Sequence, residues 1–170
     1  MRSIFPVVAL ALALLLSSSV ASADDGVRWR RTTPRALLTT EGDWIGIRVP
    51  AGRAWGIASN PLAVEPGRTY RAGVEIEVPA ERLRGAFLRI ALYERADGRG
   101  RQRERLDSAL VATGRGSPTI QFVAPAWARA AKLRVLIRAE GEMALPVRVS
   151  PGAVAPAERE LPEVILRPND

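Results

Sequence analysis

The sequence predicts an all-β protein, an antiparallel β-sandwich or jelly roll, on three observations. Short runs in which apolar and polar residues alternate recur along the chain, as expected for strands with one buried and one solvated face. Gly and Pro interrupt these runs at short intervals, and no amphipathic helix separates them. A parallel α/β fold is excluded because it would need crossover helices.

The first half of the chain is organised around the turn Glu65-Pro66-Gly67-Arg68. Pro66 fixes φ at one corner of a β-turn and Gly67 accepts a positive φ at the next. Tyr70 heads the alternating strand that follows and extends to Val78, so we expect a buried ring with its hydroxyl bonded to backbone. The earlier predicted strands are Val27 to Arg31, Ala36 to Thr40, Trp44 to Val49, Ala54 to Ser59 and Leu62 to Val64.

Two strong strands are predicted in the second half, Ala86 to Glu94 and Lys132 to Ala139. Their apolar residues alternate with polar ones, so each has one face for a core. Gly114 to Ser117 is predicted to be a turn. Asp97 to Arg105 is predicted to be a loop that is too charged to pack. Weaker strands are predicted at Leu106 to Ala112, Thr119 to Val123 and Met143 to Val149.

Residues 1–23 are similar to a secretory signal peptide. A short basic start precedes the apolar run Val7 to Leu16, and Ala21-Ser22-Ala23 is a small-residue cleavage site. The run is about half of the ~20 residues that span a membrane, although an uncleaved anchor is the alternative. We therefore expect cleavage after Ala23 and a secreted or periplasmic chain without a transmembrane span. The sandwich is assigned to residues 24–154, followed by a Pro/Glu-rich tail, 155–170, in which Val164 to Leu166 could add an edge strand.

Composition limits the sources of stability and the partners. The 170 residues contain no Cys, so packing alone must stabilise the single domain. The net charge of +7 is carried almost entirely by Arg, with Lys132 the only lysine. A surface of this sign attracts anionic polymers.

The order of several motifs resembles that of a known group of sandwiches. The motifs are Ser59-x-Pro61-Leu62-x-Val64-x-Pro66-Gly67-x-x-Tyr70, Leu88-x-Ile90-x-Leu92-Tyr93-Glu94, Phe122-Val123-Ala124-Pro125 and Leu133 to Ile137. This succession is similar to the galactose-binding-like jelly rolls, above all to the family 4 and 9 type of carbohydrate-binding module that accompanies cellulases and xylanases. Trp29 and the segment Glu41 to Val49 fall where such modules carry an early Trp and their second core strand.

One departure from that family concerns metal. Such modules open with Asn-Gly-x-Phe-Glu and close with a strand containing Asp-Asp-Val, whose acidic groups help to hold a calcium ion. Here the opening is Asp24-Asp25-Gly26-Val27, and the closing strand, Leu145 to Ser150, contains no carboxylate. Calcium needs several oxygen ligands with negative charge among them. We therefore predict no calcium site of the family type, no other metal site and no cofactor.

Sugar recognition requires flat apolar surfaces and planar polar groups. Strand parity places several polar residues on the face opposite the apolar stripe: Arg89, Tyr93, Thr119, Gln121, Arg134 and Arg138. The resemblance implies that this face is the concave, ligand-bearing one. The predicted ligand-binding residues are Trp44, Trp55, Arg89, Tyr93, Gln121 and Arg134. The alternative is that both tryptophans pack and the polar residues form a solvated face. Trp29 and Trp127 are expected to pack.

Catalysis is not expected. The chain has no His and no Cys, which removes the commonest general base and the thiol nucleophile. Glu75 and Glu77 share one strand face, but beside Arg71 they indicate an ordinary charge-balanced surface. We predict no catalytic residues.

A second binding hypothesis involves the arginines of one loop, Arg99, Arg101, Arg103 and Arg105. They could contact an acidic polysaccharide or the phosphates of lipopolysaccharide, whereas the alternative is a solvated loop; nucleic acid is not expected for a secreted chain. The sequence thus predicts a secreted, non-catalytic binding module for envelope or extracellular carbohydrate. The alternatives are an interaction domain that contacts another envelope protein and an Arg-mediated binder of acidic polysaccharide.

Overall fold

The computed structural model describes residues 26–50, 55–80, 83–141 and 143–158, and it describes Trp55 by its backbone alone. The predicted signal peptide, and the tail with its edge strand at Val164 to Leu166, lie outside the described residues, apart from the start of the tail. In these ranges the chain is built from strands and turns. No helix there is long and apolar enough to cross a membrane.

The strands follow one another at short intervals, as the alternating pattern predicts. In chain order they are β1 (Trp29–Arg31), β2 (Leu37–Glu41), β3 (Trp44–Arg48), β4 (Trp55–Ser59), β5 (Leu62–Ala63), β6 (Thr69–Gly73), β7 (Ile76–Val78), β8 (Leu83–Tyr93), β9 (Glu104–Asp107), β10 (Gly114–Gly116), β11 (Thr119–Val123), β12 (Ala130–Ala139), β13 (Val147–Val149) and β14 (Ala153–Pro156).

One layer, the front sheet, has the strand order β1-β4-β12-β8-β9, and β5 also pairs with β12. All its pairings are antiparallel. The long strands β8 and β12 lie at its centre and pair from Ala130↔Tyr93 to Ala139↔Leu83, with one irregularity after Arg138. The front sheet is therefore built around the two strongest strands in the sequence.

The second layer, the back sheet, consists of two strand groups in line with each other. One has the order β10-β7-β13-β3-β2 and the other β11-β6-β14. Backbone hydrogen bonds bridge the junction, from Val74 N to Pro118 O (3.3 Å) and from Ser150 N to Glu75 O (3.0 Å). The predicted strand from Tyr70 to Val78 is thus present as β6 and β7 with a break between them.

The hydrophobic core lies between the two sheets. Alternate residues of β8 and β12 face it, and alternate residues of β3, β7 and β13 face it from the other side. The largest fully buried side chains include Leu88, Ile90, Leu92, Leu133 and Ile137 from the front sheet and Ile47, Ile76, Val147 and Val149 from the back sheet. Burial of these side chains is the main favourable term for folding, since no disulfide is present. The predicted antiparallel jelly-roll sandwich is confirmed.

The turn at Glu65 to Arg68 also forms as predicted. Gly67 has φ of 77°, and Arg68 N donates to Glu65 O at 3.2 Å. Tyr70 is 5% exposed, and its hydroxyl accepts a hydrogen bond from Glu65 N at 2.8 Å. The Tyr70 ring stacks on Phe122, with centroids 5.7 Å apart.

Three local predictions are wrong or incomplete. Gly114 to Gly116 is strand β10, paired with β7, rather than a turn; two glycines there hide any apolar alternation. The predicted strand Leu106 to Ala112 is instead β9, from Glu104 to Asp107, and a separate bridge between Val111 and Ala86. Strand β14 continues to Pro156, past the end assigned to the sandwich at residue 154.

Gly56 provides a test of the front-sheet packing. A Cβ at this position would lie 1.6 Å from Val135 O and 2.7 Å from Val135 C, both backbone atoms of the paired strand. Gly56→Ala must therefore push β4 away from β12, and we expect the free energy of unfolding to fall by about 3 kcal/mol or more. Chemical denaturation measures it. The control is Gly26→Ala, where nothing lies within 4 Å of the added Cβ; equal stability of the two variants would contradict this packing.

Candidate functional site

The outer face of the front sheet carries a row of arginines at one register. Arg30 pairs with Ala58, Ala58 with Arg134, Arg134 with Arg89, and Arg89 with Asp107. The strand neighbours of Arg89 and Arg134, which are Leu88, Ile90, Leu133 and Val135, are buried in the core, so period two turns this row outwards. We call Arg30, Arg134 and Arg89 the arginine row. Because paired strands lie about 4.8 Å apart, the row brings three guanidinium groups onto one narrow surface.

Asp107 closes one end of the arginine row. Arg89 Nη2 donates to Asp107 Oδ2 at 2.7 Å, and Arg89 Nε donates to the second carboxylate oxygen. The hydrogen bond with Arg89 holds the pKa of Asp107 below its usual value, and the charges of Arg89, Arg105 and Arg138 act in the same direction. The pairing shows how this surface holds a carboxylate, in a planar two-point contact.

Lys132 lies beside the arginine row, two residues before Arg134 on β12. Its ammonium group donates to Gly98 O at 2.8 Å and lies 5.0 Å from the centroid of the Tyr93 ring. Burial lowers the pKa of Lys132, and the positive charge of Arg134 lowers it further. Tyr93 is 8% exposed beneath this cover, so its ring is not an open surface for stacking a sugar.

The loop between β8 and β9 packs on the front face, contrary to the prediction of a loop that is too charged to pack. Gly98 is buried against Lys132, and Arg134 Nη1 donates to Gln102 Oε1 at 3.3 Å. The loop ends earlier than expected, because Glu104 and Arg105 already belong to β9. Backbone and amide oxygens of the loop bind the cations of β12, and this is the reason that a charged loop can pack.

Phe87 is the second aromatic residue on this face. It is 5% exposed, with the guanidinium groups of Arg89 and Arg138 over its ring at 5.5 and 5.2 Å from the centroid. Cation–π contacts of this kind hold guanidinium groups over aromatic faces. The front face therefore presents cations supported by rings rather than bare rings.

Two predicted ligand residues lie elsewhere. Trp44 is on β3 and Gln121 is on β11, both in the back sheet. Gln121 is exposed, and its amide donates to Glu158 O at 3.3 Å. The expected shared face is thus wrong for Gln121, and Trp44 lies on the back sheet rather than at the border of that face. Strand parity gives the face of a strand's own sheet but not the sheet to which the strand belongs. Arg89, Tyr93 and Arg134 do come together, on the central strands β8 and β12.

Trp44 belongs to a charge-balanced surface on the back sheet. The guanidinium groups of Arg115 and Arg148 lie 5.0 and 5.3 Å from its ring centroid. Arg115 pairs with Glu75, and Arg148 pairs with Glu77 at 3.2 Å and with Glu41 at 3.4 Å. Glu75 and Glu77 are therefore members of an ion-pair network, as expected for a charge-balanced face.

The remaining tryptophans differ in their surroundings. Trp29 packs against the core, and its indole N–H donates to Ser150 O at 3.1 Å. Trp127 also packs against the core, with the Arg103 guanidinium 4.9 Å from its ring centroid. Both fit the expected packing role. Trp55 opens β4 in register with Ile137, and its side chain lies outside the described residues.

The arginines of the predicted polyanion loop are all exposed, yet they are divided among different neighbours. Arg103 lies over Trp127 and pairs with Glu94 at 3.4 Å. Arg105 is in β9, in register with Ala91, and so lies on the front face. Arg99 is held near Asp97, whose carboxylate accepts its backbone N–H at 2.9 Å. Arg105 therefore belongs to the front face, and polyanion binding by the other three arginines stays a prediction.

Sequence reasoning missed Arg30, Lys132 and Asp107 as members of this face. The position of Lys132 could have been predicted from the sequence, since it alternates with Arg134 and Arg138 on one strand. Arg30 and Asp107 were not, because their places depend on cross-strand register. No group of three or more acidic, His or Cys side chains suited to a metal ion occurs among the residues described; the absence of a calcium site stays a prediction.

Comparison with known proteins identifies the fold. No protein-family model and no curated protein matches the chain. Among solved structures, the chain is similar to the CBM22-1–GH10 modules of Clostridium thermocellum xylanase 10B, with a TM-score of 0.56 and 12% identity over 78% of this chain and 27% of that one. It is also similar to tailspike protein 4 of bacteriophage CBA120, with a TM-score of 0.56 and 14% identity over 78% of this chain and 20% of that one.

A shorter protein is similar over most of its length. The CBM22-2 xylan-binding domain of Paenibacillus barcinonensis Xyn10C gives a TM-score of 0.51 and 8% identity, over 76% of this chain and 91% of that one. The chain thus spans about a quarter or less of the first two proteins and most of the third. It has the jelly-roll fold of carbohydrate-binding modules, as the resemblance predicted, whereas the family 4 and 9 type stays a prediction.

The Asp107 pairing predicts a small pH dependence of stability. Because folding lowers the pKa of this carboxyl, its contribution is full above the unfolded value of about 4 and is lost as the pH falls through the folded value. We expect a contribution below about 1 kcal/mol, since the carboxylate is 39% exposed. Denaturation midpoints between neutral and acid pH should fall less steeply for Asp107→Asn than for the unaltered chain. Parallel curves would contradict it.

Proposed function

We propose that this chain is a non-catalytic carbohydrate-binding domain and that the outer face of its front sheet is the binding surface. The observation that carries the proposal is the arrangement of Arg89, Tyr93, Lys132 and Arg134 on two adjacent central strands. Planar guanidinium groups donate several hydrogen bonds in fixed directions, which suits recognition of hydroxyl and carboxylate groups on a flat ligand. The fold shared with a xylan-binding domain supports this choice.

A location outside the cytoplasm is part of the same proposal. Residues 1–23 have the basic start, apolar run and small-residue site of a secretory signal. The ligand would then be an envelope or extracellular carbohydrate. Detection of a mature N-terminus at Asp24 after export would support this, and retention of Met1 on the exported chain would contradict it.

The strand β2 favours a second candidate, binding to another envelope protein. It is an edge strand of the back sheet whose residues are all exposed, with Leu37 63% and Leu38 37% exposed. Exposed edge strands with apolar side chains can add a strand from a partner. Leu37→Lys should abolish such an association and leave carbohydrate binding on the front face unchanged.

A glycan array followed by calorimetry tests the carbohydrate proposal. We expect Arg134→Ala to weaken binding about tenfold, because a charge-assisted hydrogen bond is worth about 1.5–3 kcal/mol. Gln121→Ala, on the back sheet, is the matched control and should bind as the unaltered chain does. No binding to any neutral or acidic glycan, or equal loss in both variants, would overturn the proposal.

A further inference from the structure

The charges of the two outer faces differ in a way that hydrophobic packing does not require. By register and parity, the strands of the front sheet turn six cations outwards and one carboxylate, Asp107; the cations are Arg30, Arg89, Arg105, Lys132, Arg134 and Arg138. The back sheet has four such arginines, Arg48, Arg71, Arg115 and Arg148, among three glutamates, Glu41, Glu75 and Glu77, and both Arg115 and Arg148 pair with glutamates. The front face therefore has a larger excess of cations over carboxylates than the back face has.

The arginine row also carries an energetic cost. Arg134 and Arg89 are direct cross-strand partners, and like charges in that position destabilise a sheet. Asp107 forms an ion pair with Arg89, at the far side of that residue from Arg134. Within the described residues, neither Arg30 nor Arg134 has a carboxylate partner, and the oxygen that Arg134 contacts belongs to the neutral amide of Gln102. Because proteins break such local rules mainly at functional sites, this repulsion points to a site for an anion.

The two-point contact of Arg89 with Asp107 indicates the chemistry of that anion. It places a planar carboxylate in the plane of a guanidinium group at one end of the row. Arg134, one strand away, and Arg30, two strands further, lie in the same register with Ala58 between them. The position between these two arginines is thus occupied by the small side chain of Ala58.

We infer that the arginine row binds a carboxylated polysaccharide, a polymer of uronic acid type, whose carboxylates pair with Arg134 and Arg30. This inference rests on the proposed carbohydrate-binding function and specifies its ligand class. The bare aromatic platforms that suit neutral sugars are absent from the described part of this face, since Tyr93 and Phe87 are 8% and 5% exposed beneath cations.

Polygalacturonic acid and its fully methyl-esterified form are matched probes, because they share a backbone and differ in charge. We expect calorimetry on the whole protein to show binding to the acid that weakens with added salt, and little binding to the ester. Arg30→Gln with Arg134→Gln should weaken binding by about tenfold for each arginine. The melting temperature of this variant should be unchanged or raised, because a repulsion with Arg89 is removed.

The control is Arg48→Gln with Arg71→Gln, which removes the same charge from exposed positions of the back sheet. The affinity of this control variant should stay within about twofold of that of the unaltered chain, since the arginine row keeps its local contacts. Equal losses in the two double variants, or equal binding of acid and ester, would overturn the inference. Dextran sulfate bound as tightly as the acid would also overturn it. Binding confined to neutral glycans would refute the ligand class alone, whereas no glycan binding would refute the proposed function itself.

Discussion

The pairing of β8 with β12 is the constraint on which the rest of the structure depends. Ten residues of β12 are held in antiparallel register with β8, and both strands alternate between inward and outward side chains. Their inward residues, such as Ile90 and Leu133, are fully buried, so a shift of one residue would expose the core. The same register fixes Arg89 beside Arg134 on the other face. Core packing thus sets the geometry of the proposed binding surface on the other side of the same strands.

Charge distribution then distinguishes two faces that have the same architecture. The back sheet spaces its arginines among glutamates, so Arg115 and Arg148 are locally neutralised and Trp44 is covered by paired guanidinium groups. The front sheet pairs Arg89 with Asp107, whereas Lys132, Arg134 and Arg138 contact a backbone oxygen, an amide and aromatic rings. Neutral acceptors orient a cation without cancelling its field. The front face therefore keeps a larger excess of positive charge than the back face, where four arginines lie among three glutamates.

Much of this could be read from the sequence, and the rest could not for identifiable reasons. Alternation predicted the strands around Ile90 and Leu133, and Pro66-Gly67 predicted the turn, because each signal is local. The strand from Gly114 to Gly116 was not predicted, since glycines contribute no apolar alternation. The placement of Gln121 required knowing that β11 pairs with β6 rather than with β12, a choice made by long-range packing. The sequence thus predicted the strands of the site and the direction in which their side chains face, but it did not predict the cross-strand register that brings the residues together.

The cover on the aromatic residues bears most directly on function. A ligand approaching the front face would meet Lys132 before Tyr93, and the guanidinium groups of Arg89 and Arg138 before Phe87. Stacking on either ring would require those cations to move and to give up contacts that they already make. Pairing of an anionic group with a cation requires no such rearrangement, and the ring beneath supports the cation while it pairs. The fold is that of carbohydrate-binding modules, and the chemistry of its surface favours charge over stacking.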